Sequence, residues 1–450
     1  MAQYFIPNSV VYVKIKGVDY AYNWHLGDYL EFDFEHPFLT ALKSKKGYLQ
    51  ADLLDEKDAK LLLEGGYIFE SSENYARFKN ELHSQQERKV AKSLNLIVLP
   101  AGQACNFACV YCYEDHSVRT RMGSIEKKAI TELIKNEYAR RDVDHVNISY
   151  FGGEPLLNKP FIVDLNGEII ELSGKFGFHF SSSMTTNGYL LDLETVALLS
   201  KLELNSYQVT LDGLTKEHDA LRPLKNGKGS YEKIARNLHE LKESKLDFLI
   251  DIRVNFNNSH CSEGYQEKLL NELEYRFSRD SRFRIRFRPI GDYSLLNQRK
   301  TFSEGALCGK SVANDAQIRF EEFALTKGLE LADINMFSDC GSFACYAGKP
   351  NHYVIDKDLQ IKMCTVALDV KDNHVGNLSE DGTLTLNNRH KSWLNKFVGS
   401  KCDSCFFSIQ CASASCPLIN MTEKEAHCPP VAGYKHEWTE RLINFIESNT

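Results

Sequence analysis

Three cysteines lie close together in one short segment of the chain: Cys105, Cys109 and Cys112. Thiolates are the usual ligands of iron–sulfur clusters, and a [4Fe–4S] cluster normally takes four of them, one per iron. This segment supplies three thiols, so a fourth iron would keep an open position at which chemistry can take place. A structural zinc site is the alternative, although zinc sites usually combine two pairs of cysteine or histidine residues.

The C-x3-C-x2-C spacing, with Tyr111 before the last cysteine, resembles the radical S-adenosylmethionine (SAM) enzymes. The resemblance implies that the amino and carboxylate groups of SAM chelate the open iron. One electron from the cluster then breaks a carbon–sulfur bond of SAM and releases a 5′-deoxyadenosyl radical. In that family the radical takes a hydrogen atom from an unactivated C–H bond.

A second motif, consisting of Gly152, Gly153, Glu154 and Pro155, follows a predicted strand. Glycines allow the backbone to approach a ligand closely. The tetrapeptide resembles the family motif that binds the amino group of SAM, and we expect the Glu154 carboxylate to accept hydrogen bonds from that ammonium. In isolation the same four residues would indicate only a turn.

A third run contains Thr210, Asp212 and Arg222, with a His-Asp pair between the last two. It resembles the S-x-D-G…H-D…R run of the radical SAM subgroup that modifies peptides and proteins. The resemblance assigns Thr210 to the carboxylate or ribose side of SAM, whereas a purely structural turn network is the alternative for the other residues. Asn187 and Arg253 are the remaining predicted contacts, at the same mouth of the fold.

Eight further cysteines lie in the last part of the chain, enough for two all-cysteine [4Fe–4S] clusters or for two zinc sites. Their arrangement resembles the SPASM domain, which carries two auxiliary clusters in peptide-modifying radical SAM enzymes. The resemblance implies that Cys340, Cys345, Cys364 and Cys416 hold the first auxiliary cluster, and that Cys402, Cys405, Cys411 and Cys428 hold the second. The chain is thus expected to bind three [4Fe–4S] clusters.

Three positions depart from the family pattern. The last step of the second cysteine group is x4 instead of x3, and Leu359 stands where a glycine is usual. Thr365 replaces the aspartate that serves as a base in anaerobic sulfatase-maturating enzymes, and a threonine cannot deprotonate a substrate at neutral pH. Cys261 and Cys308 belong to neither group and are interpreted as buried thiols.

Strand and helix patterns alternate from residue 94 to residue 289, with six predicted strands. Alternation of this kind indicates parallel βαβ units with right-handed crossovers. Chemistry in such folds takes place at the carboxyl ends of the strands, where the motifs above fall. The predicted fold class is α/β, and the resemblance specifies a partial (β/α)6 radical SAM barrel over residues 91–300.

The flanking segments are predicted to form two further domains. Residues 1–90 show short strands followed by short helices, which resembles the winged-helix domains that recognise precursor peptides. A packing extension of the barrel is the alternative for this segment. Residues 301–450 are expected to form the SPASM domain with its two auxiliary clusters.

Composition excludes several classes of protein. The net charge of −7 provides no basic face for nucleic acid, and no apolar run approaches the ~20 residues of a membrane span. The N-terminus shows no basic region followed by an apolar stretch, so a secretion signal is not expected. The chain has thirteen cysteines, and the clustering of most of them for metal binding suits a reducing cytoplasm.

Together these features predict a peptide-modifying oxidoreductase or cyclase. It would abstract hydrogen from a ribosomally synthesised precursor peptide, bound through a leader, and install a thioether, C–C or C–O crosslink. A flavodoxin or ferredoxin is the expected electron donor. The alternative enzyme is a maturase that oxidises Cys or Ser in a protein target; a non-enzymatic iron–sulfur carrier conflicts with the three-cysteine loop followed by Gly-Gly-Glu-Pro.

Overall fold

The computed structural model describes residues 2–116, 120–291, 307–308, 310–332, 345–395, 402, 405–411, 416–423, 428 and 435–449. The chain divides into two compact units. The first unit comprises Met1–Lys89, Asp333–Lys349 and Leu394–Thr450, and the second comprises Val90–Ala332 and Pro350–Trp393.

The strands of the described residues are, in chain order, β1 (Gln3–Phe5), β2 (Val10–Ile15), β3 (Val18–Asn23), β4 (Asp28–Phe32), β5 (Tyr48–Gln50), β6 (Ser93–Val98), β7 (His145–Tyr150), β8 (His179–Thr186), β9 (Leu204–Thr210), β10 (Leu249–Phe256), β11 (Phe283–Pro289), β12 (His352–Ile355), β13 (Gln360–Lys362), β14 (His374–Leu378) and β15 (Leu384–Leu386).

The α-helices of the same residues are α1 (Pro37–Lys43), α2 (Glu56–Glu64), α3 (Ser72–Ala91), α4 (Ser124–Arg141), α5 (Lys159–Phe176), α6 (Leu193–Ser200), α7 (Thr215–Leu221), α8 (Tyr231–Lys242), α9 (Glu263–Phe277), α10 (Lys310–Thr326), α11 (Asn388–Leu394), α12 (Ser408–Cys411), α13 (Pro417–Glu423) and α14 (Lys435–Asn449). None of the helices that the structure describes is long and apolar enough to cross a membrane.

In the first unit, β2, β3 and β4 form an antiparallel sheet, and β1 pairs with β5. The strands and helices predicted between residues 10 and 64 are confirmed. The structure adds β5, which was not predicted. The closing strand predicted at residues 67–70 is wrong, because only an isolated bridge between Phe5 and Phe69 forms there. Whether this segment is a winged-helix recognition domain stays a prediction.

Trp24 joins the N-terminal strands to the C-terminal cysteine segment within the first unit. Its ring is fully buried, with T-shaped contacts to Phe406 and Phe407 at centroid distances of 5.1 and 5.5 Å. The indole Nε1–H donates to Thr439 Oγ1 at 3.0 Å. Residues 1–90 therefore share a core with residues after 394 within this unit, and the division into three domains at residues 90 and 300 stays a prediction.

The second unit is organised by one ten-stranded sheet. Six of its strands, β6 to β11, are adjacent in chain order and pair in parallel, with α4 to α9 in the connections. The helix predicted after Gly123 forms α4 and buries Ile130, Leu133 and Ile134, as its spacing indicates. The predicted parallel α/β series is confirmed.

The sheet continues beyond the predicted barrel. β12 pairs in parallel with β6, and β13, β14 and β15 follow in antiparallel order. This pairing protects the edge that β6 would otherwise expose, and it buries Val354 and Ile355 completely. Residues 350–393 thus belong to the sheet of the second unit, and the extent of the predicted SPASM domain stays a prediction.

A substitution at Trp24 tests the shared core of the first unit. We expect Trp24→Ala to destabilise this unit by about 3–5 kcal/mol, because it leaves a cavity beside two phenylalanine rings. Hydrogen exchange followed by mass spectrometry should show faster exchange both in residues 10–23 and in residues 405–411. Leu26→Ala is the control, since Leu26 is 42% exposed. Unchanged exchange of residues 405–411 would contradict the shared core.

Candidate active site

The three cysteines of the first motif lie in the loop that follows β6, at the carboxyl end of the parallel strands. Burial raises the pKa of Cys105 to about 12. Burial also raises the pKa of Cys109 and of Cys112. The charge of Cys109 adds to this effect at both other thiols, and that of Cys105 adds to it at Cys112. The three thiols therefore share one buried environment.

The spacing of these thiols bears on the kind of metal they would hold. Among the described residues, no three His, Cys, Asp or Glu side chains are arranged around a single metal ion. A four-iron cluster takes one thiolate per iron, so its ligands lie further apart than the ligands of one ion. Three neighbouring thiols in a buried loop fit such a cluster, whereas zinc sites usually require a fourth ligand close by.

Backbone hydrogen bonds hold the cysteine loop against the segment that follows α7. Ala108 N donates to Pro223 O at 2.8 Å, and Val110 N donates to Leu221 O at 3.0 Å. These bonds pair the middle of the loop with the segment beside Arg222. The third sequence motif thus fixes the position of the first.

The Gly152–Gly153 turn packs against the other side of the cysteine loop. Both glycines have positive φ, +82° and +49°. A Cβ atom on Gly153 would lie only 2.0 Å from Ala104 O, and one on Gly152 would lie 2.6 Å from Gly102 O. Glu154 N donates to Ala104 O at 2.8 Å. Glycine is required here because the two loops meet backbone to backbone.

The Glu154 carboxylate is fully buried, and protein groups satisfy it. Its oxygens accept hydrogen bonds from Leu156 N at 3.0 Å, from Thr186 Oγ1 at 2.8 Å and from Asn187 N at 2.8 Å. It thereby caps the short 3₁₀ helix that begins at Pro155 and ties it to the end of β8. Three protein donors thus share this carboxylate, and its contact with the SAM ammonium stays a prediction.

Asn187 is positioned beside the first cysteine. Its side-chain Nδ2 donates to Asn106 Oδ1 at 2.8 Å and lies 3.9 Å from Cys105 Sγ. Its Oδ1 accepts from Tyr189 N at 3.0 Å, which fixes the orientation of the amide. The structure thus brings Asn187 to the predicted site, and its contact with SAM stays a prediction.

Asp212 and Arg222 form a buried network that includes the cysteine loop. Arg222 Nη1 lies 3.8 Å from Asp212 Oδ2 and donates to the Tyr111 hydroxyl at 2.7 Å. The Tyr111 hydroxyl donates in turn to Asp212 Oδ2, and Asn255 N donates to Asp212 Oδ1 at 2.8 Å. Burial raises the pKa of Asp212, and the charge of Arg222 opposes that rise.

His218 has a structural position in the same turn. Its Nδ1 accepts from Asp212 N at 3.0 Å, and its Nε2 lies 3.1 Å from Ser230 Oγ. Both ring nitrogens therefore have protein partners. For His218 the structural alternative to a SAM contact is confirmed, while Asp212 and Arg222 combine a structural role with a position beside the thiols.

Arg222 retains a donor that faces no protein acceptor. Its Nε is buried and has no hydrogen-bond partner among the described residues. The guanidinium lies 5.6 Å from the Phe107 ring centroid, and its charge opposes the burial-induced rise in the pKa of Cys109. A buried, unpartnered N–H beside the thiols is suited to a bound anionic group.

The last two predicted SAM contacts lie on neighbouring strands. Thr210 at the end of β9 pairs in register with Arg253 of β10. The Arg253 Nε donates to Asn255 Oδ1 at 2.8 Å, which links it to the Asp212 network. Both residues therefore lie at the predicted mouth, and their roles toward SAM stay predictions.

The predicted ligands of the second auxiliary cluster lie in the first unit. Burial raises the pKa of Cys405, and the charges of Cys428 and Cys402 raise it further, so these three thiols are neighbours. Cys411 ends the short helix α12, where its N–H donates to Phe407 O at 3.0 Å. Three of the four predicted ligands are thus brought into one neighbourhood.

The predicted ligands of the first auxiliary cluster are divided between the units. Cys345 and Cys416 belong to the first unit, Cys364 belongs to the second, and Cys340 lies outside the described residues. Asn373 holds Cys364 by accepting from its N–H at 2.8 Å and donating to its carbonyl at 2.7 Å. The assignment of this cluster stays a prediction.

Several residues of the site were not predicted from the sequence. Glu114 Oε2 accepts from Gly153 N at 2.7 Å, and burial raises the pKa of Glu114 to about 7. His116 Nε2 lies 3.2 Å from Cys112 Sγ. Asn255 completes the Asp212 network through its backbone and side chain. The sequence signal that could have revealed Glu114, His116 and Asn255 is their position, because each of them lies within four residues of a predicted site residue.

Comparison with known proteins agrees with this geometry. Residues 99–258 match the family model of the Radical SAM superfamily, a segment that includes the cysteine loop, the Gly152–Gly153 turn and Arg222. The predicted resemblance is therefore confirmed, and the second unit of this chain contains a radical SAM domain.

Several of the relatives are maturating enzymes by name. The chain is 28% identical over 196 residues to a cysteine-type anaerobic sulfatase-maturating enzyme from Clostridium novyi, covering 41% of this chain and 50% of the relative. It is 32% identical over 139 residues to a mycofactocin maturase from Mycobacterium ulcerans, covering 31% and 34%. The matches thus span half or less of each of these two curated relatives.

A solved structure extends the similarity of fold. Native anSMEcpe with bound AdoMet and the Cp18Cys peptide aligns with a TM-score of 0.59 and 19% sequence identity, covering 80% of this chain and all of that chain. At this identity the match shows a common fold.

A substitution at Gly153 tests the contact between the two loops. We expect Gly153→Ala to destabilise the second unit by about 2 kcal/mol or more, because the added Cβ meets a backbone oxygen at a positive φ. The affinity of the Gly153→Ala variant for SAM, measured by equilibrium dialysis under anaerobic conditions, should be at least tenfold lower than that of the unaltered protein. Gly167→Ala in α5 is the control, since no atom lies within 4 Å of its Cβ position. Equal SAM affinity in the two variants would contradict the proposed contact.

Proposed function

We propose that this chain is a radical SAM peptide maturase whose first [4Fe–4S] cluster is held by Cys105, Cys109 and Cys112. When bound and reduced, the cluster supplies the electron that cleaves SAM to a 5′-deoxyadenosyl radical, which takes hydrogen from a precursor peptide. The observation that carries this proposal is the buried loop of three thiols, which is fixed on one side by the Gly152–Gly153 turn and on the other by the Asp212–Arg222 network.

The residues around the thiols have distinct proposed tasks. We assign the amino group of SAM to the Glu154 carboxylate and to backbone carbonyl groups of the Gly152–Gly153 turn. Glu154 also positions that turn through its hydrogen bonds to Leu156, Thr186 and Asn187. The free N–H of Arg222 is available to the carboxylate of SAM. Thr210, Asn187 and Arg253 are assigned to the remaining polar groups of SAM, as predicted from the sequence.

Two auxiliary [4Fe–4S] clusters complete the proposed cofactor set. Four protein thiolates per cluster leave no open iron, so neither cluster would bind SAM. Their proposed role is electron transfer from the substrate radical together with support of the surrounding loops. The neighbouring positions of Cys402, Cys405 and Cys428 support this assignment for the second cluster.

The proposed substrate is a ribosomally synthesised precursor peptide with a leader, and the proposed electron donor is a flavodoxin or ferredoxin in the cytoplasm. The names of the relatives support a peptide or protein substrate, and the anSMEcpe structure contains a bound peptide. Residues 1–90 remain the proposed leader-binding segment. Because Trp24 packs on Phe406 and Phe407, a deletion of this segment would expose part of the core, and point substitutions test leader binding more cleanly.

Crosslink formation is the preferred reaction over sulfatase-type oxidation of Cys or Ser. Serine-type and cysteine-type sulfatase-maturating enzymes are both among the relatives, which favours the second candidate. Against it, the residue after Cys364 is Thr365, a buried side chain that cannot serve as a base. Asp369 lies on the same segment and accepts from Gln103 Nε2 at 3.3 Å. Together with Glu114, it is a candidate to replace the missing base.

Product analysis separates the two reactions. After anaerobic coexpression with candidate precursor peptides, we expect a product that has lost two hydrogen atoms, carries a crosslink in tandem mass spectra and does not react with a hydrazide. Sulfatase-type oxidation would instead leave an aldehyde that a hydrazide captures. The triple variant Cys105→Ala, Cys109→Ala, Cys112→Ala is the control and should leave the peptide unmodified. A hydrazide-reactive product from the unaltered enzyme would overturn the crosslinking proposal.

A further inference from the structure

Two cysteines outside the three predicted ligand sets lie in contact with each other. The Sγ atoms of Cys261 and Cys308 are 4.0 Å apart. Cys261 follows the short 3₁₀ helix Asn258–His260 after β10, and Cys308 comes after β11. Both thiols are free and partly buried. The two cysteines form a dithiol that the sequence motifs do not explain.

Backbone hydrogen bonds hold both cysteines in place. Cys261 N donates to Asn258 O at 3.2 Å, and its Sγ lies 3.2 Å from Asn257 O. Cys308 N donates to Ile290 O at 3.1 Å. Ile250–Phe256 of β10 pair in parallel with Phe283–Pro289 of β11, so Asn257 and Ile290 leave the sheet side by side. Both cysteines contact the residues that directly follow these two strands, and these contacts account for the short distance between the sulfurs.

The chemistry of this pair differs from that of an isolated thiol. A disulfide has an S–S distance of about 2.05 Å, so side-chain rotation would have to bring the sulfurs closer by about 2 Å. Burial raises the pKa of Cys308 to about 12 and also raises that of Cys261, where the charge of Arg319 opposes the rise. Since the thiolate is the reactive form, oxidation should be slow at neutral pH and faster as the pH rises.

We propose that Cys261 and Cys308 are a redox-active dithiol, which a low-molecular-weight disulfide converts into an intramolecular disulfide. One protein thiol first forms a mixed disulfide with the oxidant and releases one small thiol. The second protein thiol then displaces the other small thiol. In total the protein loses two protons and two electrons, and the oxidant is reduced to two thiols. The new bond crosslinks the loops that follow β10 and β11.

The crosslink would act close to the candidate active site. The Tyr265 hydroxyl, four residues beyond Cys261, accepts from Leu214 N at 3.2 Å. Leu214 belongs to the turn that contains the buried Asp212. Tyr265 lies in the first turn of α9. Oxidation would therefore restrain the segment that leads into this helix and should slow hydrogen exchange in residues 257–265.

Thiol mapping of the full-length protein tests the proposal. The anaerobically purified protein with reconstituted clusters is incubated with oxidised glutathione and alkylated with iodoacetamide. It is then reduced, labelled with N-ethylmaleimide and digested for mass spectrometry. We expect Cys261 and Cys308 to carry the second label together, and a non-reduced digest to contain one peptide pair joined through these residues. Iron–sulfur absorbance should be retained, because the cluster ligands are not involved.

Single variants provide the matched controls. In Cys261→Ser and in Cys308→Ser, the remaining thiol should stop at the mixed disulfide with glutathione, while the iron content stays that of the unaltered protein. A denatured sample should lose the selective pairing. The proposal is overturned if both thiols of the native protein take the first label, if both keep glutathione, or if either pairs with another cysteine.

Discussion

The Asp212 carboxylate is completely buried, and the groups that compensate its charge come from three separate parts of the second unit. Arg222 approaches it from the end of α7, Asn255 donates from the end of β10, and Tyr111 contributes a hydroxyl from the cysteine loop. Removing one partner of a buried ion pair typically costs about 3–5 kcal/mol. The cysteine loop must therefore adopt the position that completes this network, and its three cysteines are held in place by polar contacts within the protein.

The opposite side of the cysteine loop is held by close backbone packing instead of by charged groups. Gly153 meets Ala104 with no room for a side chain, and Glu154 ties the turn to Thr186 and Asn187 at the end of β8. Charge on one side and close backbone packing on the other restrict the same three thiols. This arrangement holds three buried thiols at the carboxyl end of a parallel sheet, where we propose that they bind the cluster.

The sequence predicted the parts of this structure that depend on local pattern. Alternating strands and helices indicated the parallel series from β6 to β11, and the motif spacing indicated which residues meet at its carboxyl edge. The pairing of β12 with β6 was missed, because it joins strands far apart in the chain and depends on protecting a sheet edge. The contact of Trp24 with Phe406 was missed for the same reason, since no local signal reports a shared core.

The role of Glu154 shows a different limit. Its motif indicated a turn, which the structure confirms, but the motif gave no sign of the protein donors around the carboxylate. Three protein donors converge on that carboxylate, two of them from the end of a strand that the motif does not include. These hydrogen bonds depend on tertiary contacts, so the sequence of a tetrapeptide cannot predict them.

The central claim is that the loop of Cys105, Cys109 and Cys112 holds a cluster with one iron open to SAM. Electron paramagnetic resonance of the anaerobically reconstituted, dithionite-reduced protein, recorded with and without SAM, tests it most directly. We predict that SAM changes the signal of one cluster, and that this change disappears in the triple alanine variant while the signals of the other clusters persist. A spectrum that SAM leaves unchanged in the unaltered protein, or changes equally in the triple variant, would contradict the claim.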